Sequence, residues 1–132
     1  MKRNQGFTVL ELIVAVVFLV IAGTFFFVQK RDLEIANRDN VRKTAINSIY
    51  YTLEDIYYPT NGGVYPEHLA ADQLRGVDPA MLKDPNGKAF DAQGSDYTYT
   101  PKDCVDGKCR SYTLTANLEN EADFVKTSRN GQ

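Results

Sequence analysis

The chain is poor in the residues that most often carry catalysis and metal binding. Its 132 residues include one histidine, His68, and two cysteines, Cys104 and Cys109. Neither Ser95 nor Ser111 is surrounded by the glycines of a nucleophile elbow, so a serine–histidine–aspartate triad has no support beyond His68. The cysteines lack the second ligand pair of a zinc site and the Cys-x-x-Cys spacing of a redox pair. We therefore expect no enzymatic activity and assign no catalytic or cofactor-binding residue.

The chain also lacks an excess of charge of either sign. It has 15 Lys and Arg against 17 Asp and Glu, which gives a net charge of −2. A nucleic-acid-binding domain usually presents a basic face, so no direct binding of nucleic acid is predicted. We interpret one local group of basic residues as part of a solvated helix face, because acidic residues accompany it: Arg38, Arg42 and Lys43 beside Asp32, Glu34 and Asp39.

The sequence does have one long apolar segment, Phe7–Val28. Its 22 residues would form a helix about 33 Å long, which matches the hydrocarbon core of a bilayer. Lys2 and Arg3 favour a cytoplasmic N-terminus, although Lys30 and Arg31 on the other flank weaken that argument. The segment is therefore predicted to span a membrane, with the rest of the chain outside the cytoplasm.

The apolar segment contains one charged residue, Glu11. A carboxylate costs about 2.5–3.5 kcal/mol at the centre of a membrane helix and somewhat less near the interface. A cleaved secretory signal peptide is one alternative, with its best site after Ala22, but the apolar run continues to Val28 and Glu11 interrupts it. A plain signal anchor explains the length of the segment and leaves Glu11 unexplained.

The residues around Glu11 form a motif. A short basic leader is followed by Gly6-Phe7-Thr8-Val9-Leu10-Glu11-Leu12-Ile13. This arrangement closely resembles the class III leader junction of type IV pilins and of the pseudopilins of type II secretion. The resemblance implies that a prepilin peptidase removes residues 1–6 by cleavage after Gly6 and that Phe7 becomes an N-methylated terminus. It also implies storage in the cytoplasmic (inner) membrane, followed by assembly on a pilus assembly platform into an extracellular homo-oligomeric filament.

Cleavage would give Glu11 a partner. The new α-amine of Phe7 is positively charged in apolar surroundings, and such an amine and a carboxylate are each costly alone but much cheaper as a pair. In a filament the amine of one subunit can meet Glu11 of its neighbour, so Glu11 is predicted to fix the axial register. The predicted function is a structural subunit of a type IV pilus-like filament. Two alternatives stay open: the major pseudopilin of a type II secretion system, and a membrane-anchored surface binding domain that never polymerises.

The predicted helix continues past the membrane segment. Residues 29–58 contain neither Pro nor Gly, and nothing before Pro59 forces a break, so one helix of about 52 residues is predicted. Many type IV pilins carry a Pro in the second half of the apolar segment, whereas here Gly23 is the one soft point. Apolar residues at steps of three and four predict the face that packs on a head: Val41, Ala45, Ile46, Ile49, Leu53, Ile56 and Tyr57. The opposite face is predicted to carry Arg42, Lys43, Asn47 and Glu54.

Residues 59–132 are predicted to form a head with a small antiparallel sheet. The whole is then an α+β protein, and the resemblance implies the pilin fold: leader 1–6, membrane and assembly helix 7–28, amphipathic helix 29–58 and head 59–132. The dipeptide Asp106-Gly107 favours a type I′ hairpin. Its register pairs Cys104 with Cys109, close enough for a disulfide, and places both cysteines on the solvent-facing threonine side.

Other parts of the head carry weaker signals. A short helix is predicted over Pro66–Gln73 with Leu69 and Leu74 inward, a helical turn over Pro79–Leu82, a third strand over Asp123–Thr127 and a frayed end over Ser128–Gln132. Five aspartates in turns offer oxygen ligands to calcium, as loops do in some pseudopilins: Asp84, Asp91, Asp96, Asp103 and Asp106. Turn formation already explains them and EF-hand spacing is absent, so calcium is kept as an alternative without assigned ligands.

Overall fold

The computed structural model describes residues 6–130. The predicted basic leader before Gly6 and the last two residues, Gly131 and Gln132, lie outside this range. The chain divides into two compact units between Ile35 and Ala36. The first unit contains the apolar segment and the second contains the head, and each is described by itself.

The first unit is helical from its fourth described residue onwards. Helix α1, Val9–Thr52, begins just after the predicted cleavage site and passes through Gly23 without interruption. No atom lies within 4 Å of the Cβ that an alanine would add at Gly23. Together with the turns that follow α1, the helical stretch Val9–Thr60 is long and apolar enough, by length and composition, to cross a membrane.

A change of helical period lies near the end of this stretch. A π-helical turn, Leu53–Tyr57, follows α1, and a last α-helical turn, Tyr58–Thr60, completes 52 helical residues. A π turn has more residues than an α turn, so the side chains on it depart from a regular 3.6 period. Glu54 is consequently 5% exposed, whereas Ile56 is 47% exposed. The predicted length of the helix is confirmed, but the predicted positions of Glu54 and Ile56 are wrong.

In the described part of the head, four antiparallel strands form one sheet. β3 is central and pairs with the other three strands. Their bounds are β1 Tyr65–Pro66, β2 Tyr97–Val105, β3 Lys108–Ala116 and β4 Phe124–Thr127. The predicted third strand is therefore confirmed as β4, whereas β1 was not predicted.

The hairpin between β2 and β3 has the predicted turn and register. Asp106 and Gly107 have φ angles of 52° and 75°, and a type I′ turn requires positive φ at both positions. Cys104 pairs with Cys109, and the two form a disulfide with Cα atoms 3.9 Å apart. Cys109 is nevertheless fully buried beside Tyr65 of the unpredicted strand β1, so the predicted solvent-side position is wrong for this cysteine.

The core of the head lies between the second half of α1 and one face of the sheet. Helix residues Ala45, Ile46, Ile49 and Leu53 and sheet residues Tyr65, Tyr97, Tyr99, Tyr112, Leu114 and Ala116 are all buried in it. The rings of Tyr65 and Tyr112 meet edge to face with centroids 4.7 Å apart, a favourable arrangement of aromatic quadrupoles. The predicted packing of an amphipathic helix on an antiparallel sheet is confirmed.

Two further predictions for the head are wrong. Residues 66–73 form no helix, because Pro66 belongs to β1 and its carbonyl accepts a hydrogen bond from the Tyr99 hydroxyl at 2.7 Å. Ser128 is not frayed, because it is 3% exposed and its Oγ accepts a hydrogen bond from Tyr112 N–H at 3.4 Å. The predicted helical turn over Pro79–Leu82 is present as a 3-10 helix.

Candidate processing and assembly site

The start of α1 brings together the residues predicted for processing and assembly. Gly6, Phe7, Thr8 and Glu11 line one open depression at the surface. Thr8 Oγ1 accepts a hydrogen bond from Glu11 N–H at 3.3 Å, and Thr8 O accepts one from Leu12 N–H at 3.1 Å. Thr8 is therefore the N-cap of α1 and has, with Glu11 three residues later, the spacing of a capping box.

The capping role of Thr8 was not predicted from the sequence. A threonine hydroxyl in an apolar helix can bond back to a helix carbonyl, and such a bond gives the residue no special role. Thr24 does so, because its Oγ1 donates to Ile21 O at 2.8 Å. Thr8 precedes the first helical residue, so its hydroxyl accepts from the free N–H groups of the first turn instead. The Thr-x-x-Glu spacing was the signal that could have revealed this role.

The peptide bond between Gly6 and Phe7 lies outside any helix or strand, and both residues are exposed. Phe7 has 81% of its surface exposed. An exposed bond in irregular backbone can be drawn into a peptidase site without unfolding a helix. The structure thus places the predicted cleavage site immediately before α1, where helical hydrogen bonds do not protect it.

Glu11 is exposed in the first turn of α1. A negative charge at this end of a helix is favoured by about 0.3–1 kcal/mol through the helix dipole. No ion pair within residues 6–130 involves Glu11. Its carboxylate therefore remains available for a cation from outside the described chain.

Helix α1 also carries an apolar surface that this chain does not cover. Every large apolar side chain from Phe7 to Val28 is exposed; Phe18, Leu19 and Phe27, for example, are 69%, 72% and 70% exposed. Contiguous apolar patches of this extent mark membrane or protein contacts. The segment therefore presents the kind of surface that lipid or another protein could cover.

A buried charge cluster joins α1 to the loops of the head. Arg42 is 3% exposed and donates through Nη1 to Asp39 Oδ1 and Glu119 Oε1 and through Nη2 to Asp96 Oδ2, each at 2.8 Å. Arg38 forms a bidentate pair with Glu119, with both bonds at 2.7 Å. We call these five residues the Arg42 network. The prediction of a solvated helix face is therefore wrong for Arg42, which Asp39 and two acidic residues distant in sequence surround, whereas the Arg38 side chain keeps 38% of its surface exposed.

The Arg42 network stabilises the charged forms of Arg42 and Glu119. Burial alone would lower the pKa of Arg42, but its hydrogen bonds to Asp96, Glu119 and Asp39 outweigh burial and raise that pKa. The hydrogen bond from Arg38, followed by that from Arg42, lowers the pKa of Glu119 to about 2. Arg42 and Glu119 thus pair as charged groups at neutral pH, as a buried arginine requires.

A second buried acid lies on the π turn. Glu54 Oε1 accepts hydrogen bonds from the Tyr112 hydroxyl at 2.8 Å and from Arg129 N–H at 3.2 Å, and its Oε2 accepts one from the Tyr65 hydroxyl at 3.0 Å. We call these four residues the Glu54 network. Burial and then the hydrogen bond to Glu54 raise the pKa of Tyr65 and of Tyr112 above the ordinary value of tyrosine. The network connects the helix to β1, to β3 and to the segment after β4.

Three of the five aspartates considered for calcium already accept hydrogen bonds from the protein itself: Asp84, Asp91 and Asp96. Asp84 Oδ1 accepts from Asn86 N–H and Lys88 N–H at 2.9 and 2.8 Å, and Asp84 Oδ2 accepts from Asp96 N–H at 3.1 Å. Burial raises the pKa of Asp84, but these backbone hydrogen bonds outweigh burial and lower it. Within the described residues, no group of three or more His, Cys, Asp or Glu side chains could hold a metal ion. His68 is exposed.

Comparison with known protein families, with curated proteins and with solved structures finds no match for this chain. The functional argument therefore depends on the residues themselves. Three parts of the chain carry the argument. They are the polar start of α1, the exposed apolar surface that follows it, and the head, which is joined to the second half of the same helix.

Proposed function

We propose that this protein is the structural subunit of a type IV pilus-like filament. In this proposal a prepilin peptidase cleaves after Gly6, the new terminus at Phe7 is N-methylated, and the mature subunit waits in the inner membrane. An assembly platform then extracts it into an extracellular homopolymer held together by the Phe7–Val28 segments. The role is structural, not enzymatic.

The observation that carries the proposal is the charge placed at the start of an otherwise apolar, exposed helix. Glu11 has no ion-pair partner in the described chain, although it begins a segment that must leave water. Cleavage before Phe7 creates a positive amine four residues from Glu11, outside the helix. Thr8 caps the turn between them, so both charges are presented at one end of α1.

In this proposal the two charges pair between neighbouring subunits. The α-amine of Phe7 and the Glu11 carboxylate of a neighbouring subunit would each lose hydration on assembly, and pairing offsets that cost. Exchange of lipid for neighbouring helices yields little hydrophobic free energy, so packing and this pair must supply specificity. Glu11 then sets the axial register, since a shifted subunit would leave both charges unpaired.

The first test is the mass of the mature N-terminus. The proposal predicts a purified chain that begins with N-methyl-Phe7. An intact chain, or one that begins at Gly23, would reject it in favour of an anchored domain that does not polymerise or of an ordinary secreted protein. Electron microscopy of sheared surface fibres, with this chain identified in them, tests polymerisation directly.

The second test replaces the proposed register residue. Glu11→Ala should leave a membrane-inserted, processed subunit that enters filaments poorly. Glu34→Ala is the matched control, because Glu34 lies on the same helix in an exposed pair with Lys30. Equal filament yield from the two variants would contradict the register role.

A melting temperature of the head that rises with calcium would favour the pseudopilin alternative over the pilus subunit.

A further inference from the structure

The long helix ends in an exposed Asn-Gly pair. Asn61 N–H donates to Tyr57 O at 3.0 Å, and Asn61 Nδ2 donates to Tyr57 O at 2.9 Å and to Thr60 Oγ1 at 3.2 Å. Gly62 follows with a φ of 76°, and no atom beyond Gly62 and its two chain neighbours lies within 4 Å of the position that a Cβ would take. Asn61 and Gly62 are both exposed to solvent.

The backbone nitrogen of Gly62 is unengaged. Within the described residues Gly62 N–H donates no hydrogen bond, whereas the next N–H, that of Gly63, donates to Tyr58 O at 2.9 Å. Glycine has no side chain to shield its nitrogen and lets the backbone rotate with little steric resistance. We propose that Asn61 is a site of spontaneous deamidation in the folded protein.

The reaction requires only water and base. The deprotonated nitrogen of Gly62 attacks Cγ of Asn61, so an N–Cγ bond forms while the Cγ–Nδ2 bond breaks, and Nδ2 takes a proton from water and leaves as ammonia. Water then adds to one of the two carbonyls of the cyclic imide and opens it to aspartate or isoaspartate. Asn61 borders a depression that is open to solvent and is lined also by Thr60 and Arg75, so water has access.

The sequence has two other Asn-Gly pairs, Asn86-Gly87 and Asn130-Gly131. Asn86-Gly87 lies entirely within the described residues and serves as an internal comparison. Gly87 N–H donates to Asp84 O at 2.8 Å, and Asp84 Oδ1 accepts from the N–H groups of Asn86 and Lys88. The Asp84 side chain that anchors this turn is buried, with 4% of the residue exposed. Attack by Gly87 first requires loss of its own hydrogen bond and rotation of the anchored turn. Asn61 should therefore react about tenfold faster than Asn86.

Deamidation would change the end of the helix. A carboxylate at position 61 places negative charge at the C-terminal end of a helix, where the dipole disfavours it, and removes the Nδ2 donor from Tyr57 O. Isoaspartate also lengthens the backbone between the helix and β1. Each event makes the net charge more negative by one, from −2 to −3, so the product separates on an ion-exchange column.

The test is incubation of the full chain in detergent micelles at mildly alkaline pH, in parallel with the same chain unfolded in urea. Trypsin releases the two sites on different peptides, residues 44–75 and residues 84–88, and mass spectrometry follows each. The expected result is deamidation at Asn61 about tenfold faster than at Asn86 in the folded chain, and similar rates in urea.

Two outcomes would overturn the proposal. Equal rates at both asparagines in the folded chain would show that the free nitrogen of Gly62 gives no advantage. A tenfold difference that persists in urea would assign the preference to local sequence rather than to the structure. The variant Asn61→Gln is the control, because peptide 44–75 should then lose its fast deamidation while the slower reaction at Asn86 is unchanged. Any charge shift from the third pair, Asn130-Gly131, is read separately, because trypsin cleaves after Arg129.

Discussion

Arg42 Nη2 and Asp96 Oδ2 lie 2.8 Å apart, although the two residues are 54 positions apart in the sequence. This contact joins the helix to the residue just before β2. The same guanidinium also contacts Asp39 and Glu119, so one buried cation contacts three acids from three parts of the chain. Its removal should therefore affect the whole head.

Replacement of Arg42 by methionine should lower the free energy of unfolding by about 3–5 kcal/mol, because it leaves the carboxylate of Asp39 buried without a cation. Urea unfolding of the full chain in detergent micelles measures this loss. The neighbouring substitution Lys43→Met is the control. Lys43 pairs with Glu121 at the surface, where such a pair contributes at most about 1 kcal/mol. Equal losses in the two variants would contradict the role of the Arg42 network.

The Glu54 network predicts a loss of stability in alkali. Tyr65 and Tyr112 have raised pKa values in the folded state, while an unfolded tyrosine titrates near pH 10. The folded state therefore holds these protons to higher pH than the unfolded state does. Their contribution is complete below pH 10 and falls as the pH rises above it.

Urea unfolding at a series of pH values on either side of pH 10 checks this expectation. The double substitution Tyr65→Phe and Tyr112→Phe should lower stability at neutral pH, because the Glu54 carboxylate loses two donors. It should also flatten the alkaline slope. An unchanged slope in the double variant would assign the alkaline loss to other groups.

Thr8→Ala should loosen the first turn of α1. Loss of an N-cap costs about 0.5–2 kcal/mol, whereas Thr8→Ser retains the hydroxyl that accepts from Glu11 N–H. Amide hydrogen exchange in detergent micelles should be faster at Glu11 in the alanine variant and close to the parent rate in the serine variant. If alanine and serine give the same exchange rate, the hydroxyl is not the cap.

Reduction of the Cys104–Cys109 disulfide should lower the free energy of unfolding by about 2 kcal/mol, the value expected for a small closed loop. Thermal unfolding with and without dithiothreitol measures the change. The double substitution Cys104→Ser and Cys109→Ala supplies the control, since dithiothreitol should have no effect on it. A shift of equal size in the control would show that the reductant acts elsewhere.

Local chemistry made the hairpin and the long helix predictable. Asp106 and Gly107 adopt positive φ together, and that turn fixes every pair along β2 and β3. The long helix was predictable because its sequence contains no Pro before position 59 and only one Gly, which a helix tolerates. These features depend on neighbours within a few residues, which the sequence displays directly.

The two buried networks were not predictable in the same way. A charged residue on a helix is solvated by default, and the partners of Arg42 lie in loops whose positions depend on the finished fold. Glu54 was assigned to the wrong face because a regular period was assumed through a π turn. The capping box at Thr8 differs, since its signal is local and was present in the sequence.

The spacing of the two networks along the helix has a mechanical consequence for the head. Arg42 and Glu54 are twelve residues apart, about 18 Å of helix, and they attach to different parts of the head. A tensile load applied along the second half of α1 is thus shared between two anchoring points, and torque about the helix axis meets resistance at both. Pulling experiments that rupture the Arg42 contacts should leave the Glu54 contacts to hold the remaining load, so unfolding under force should occur in two steps.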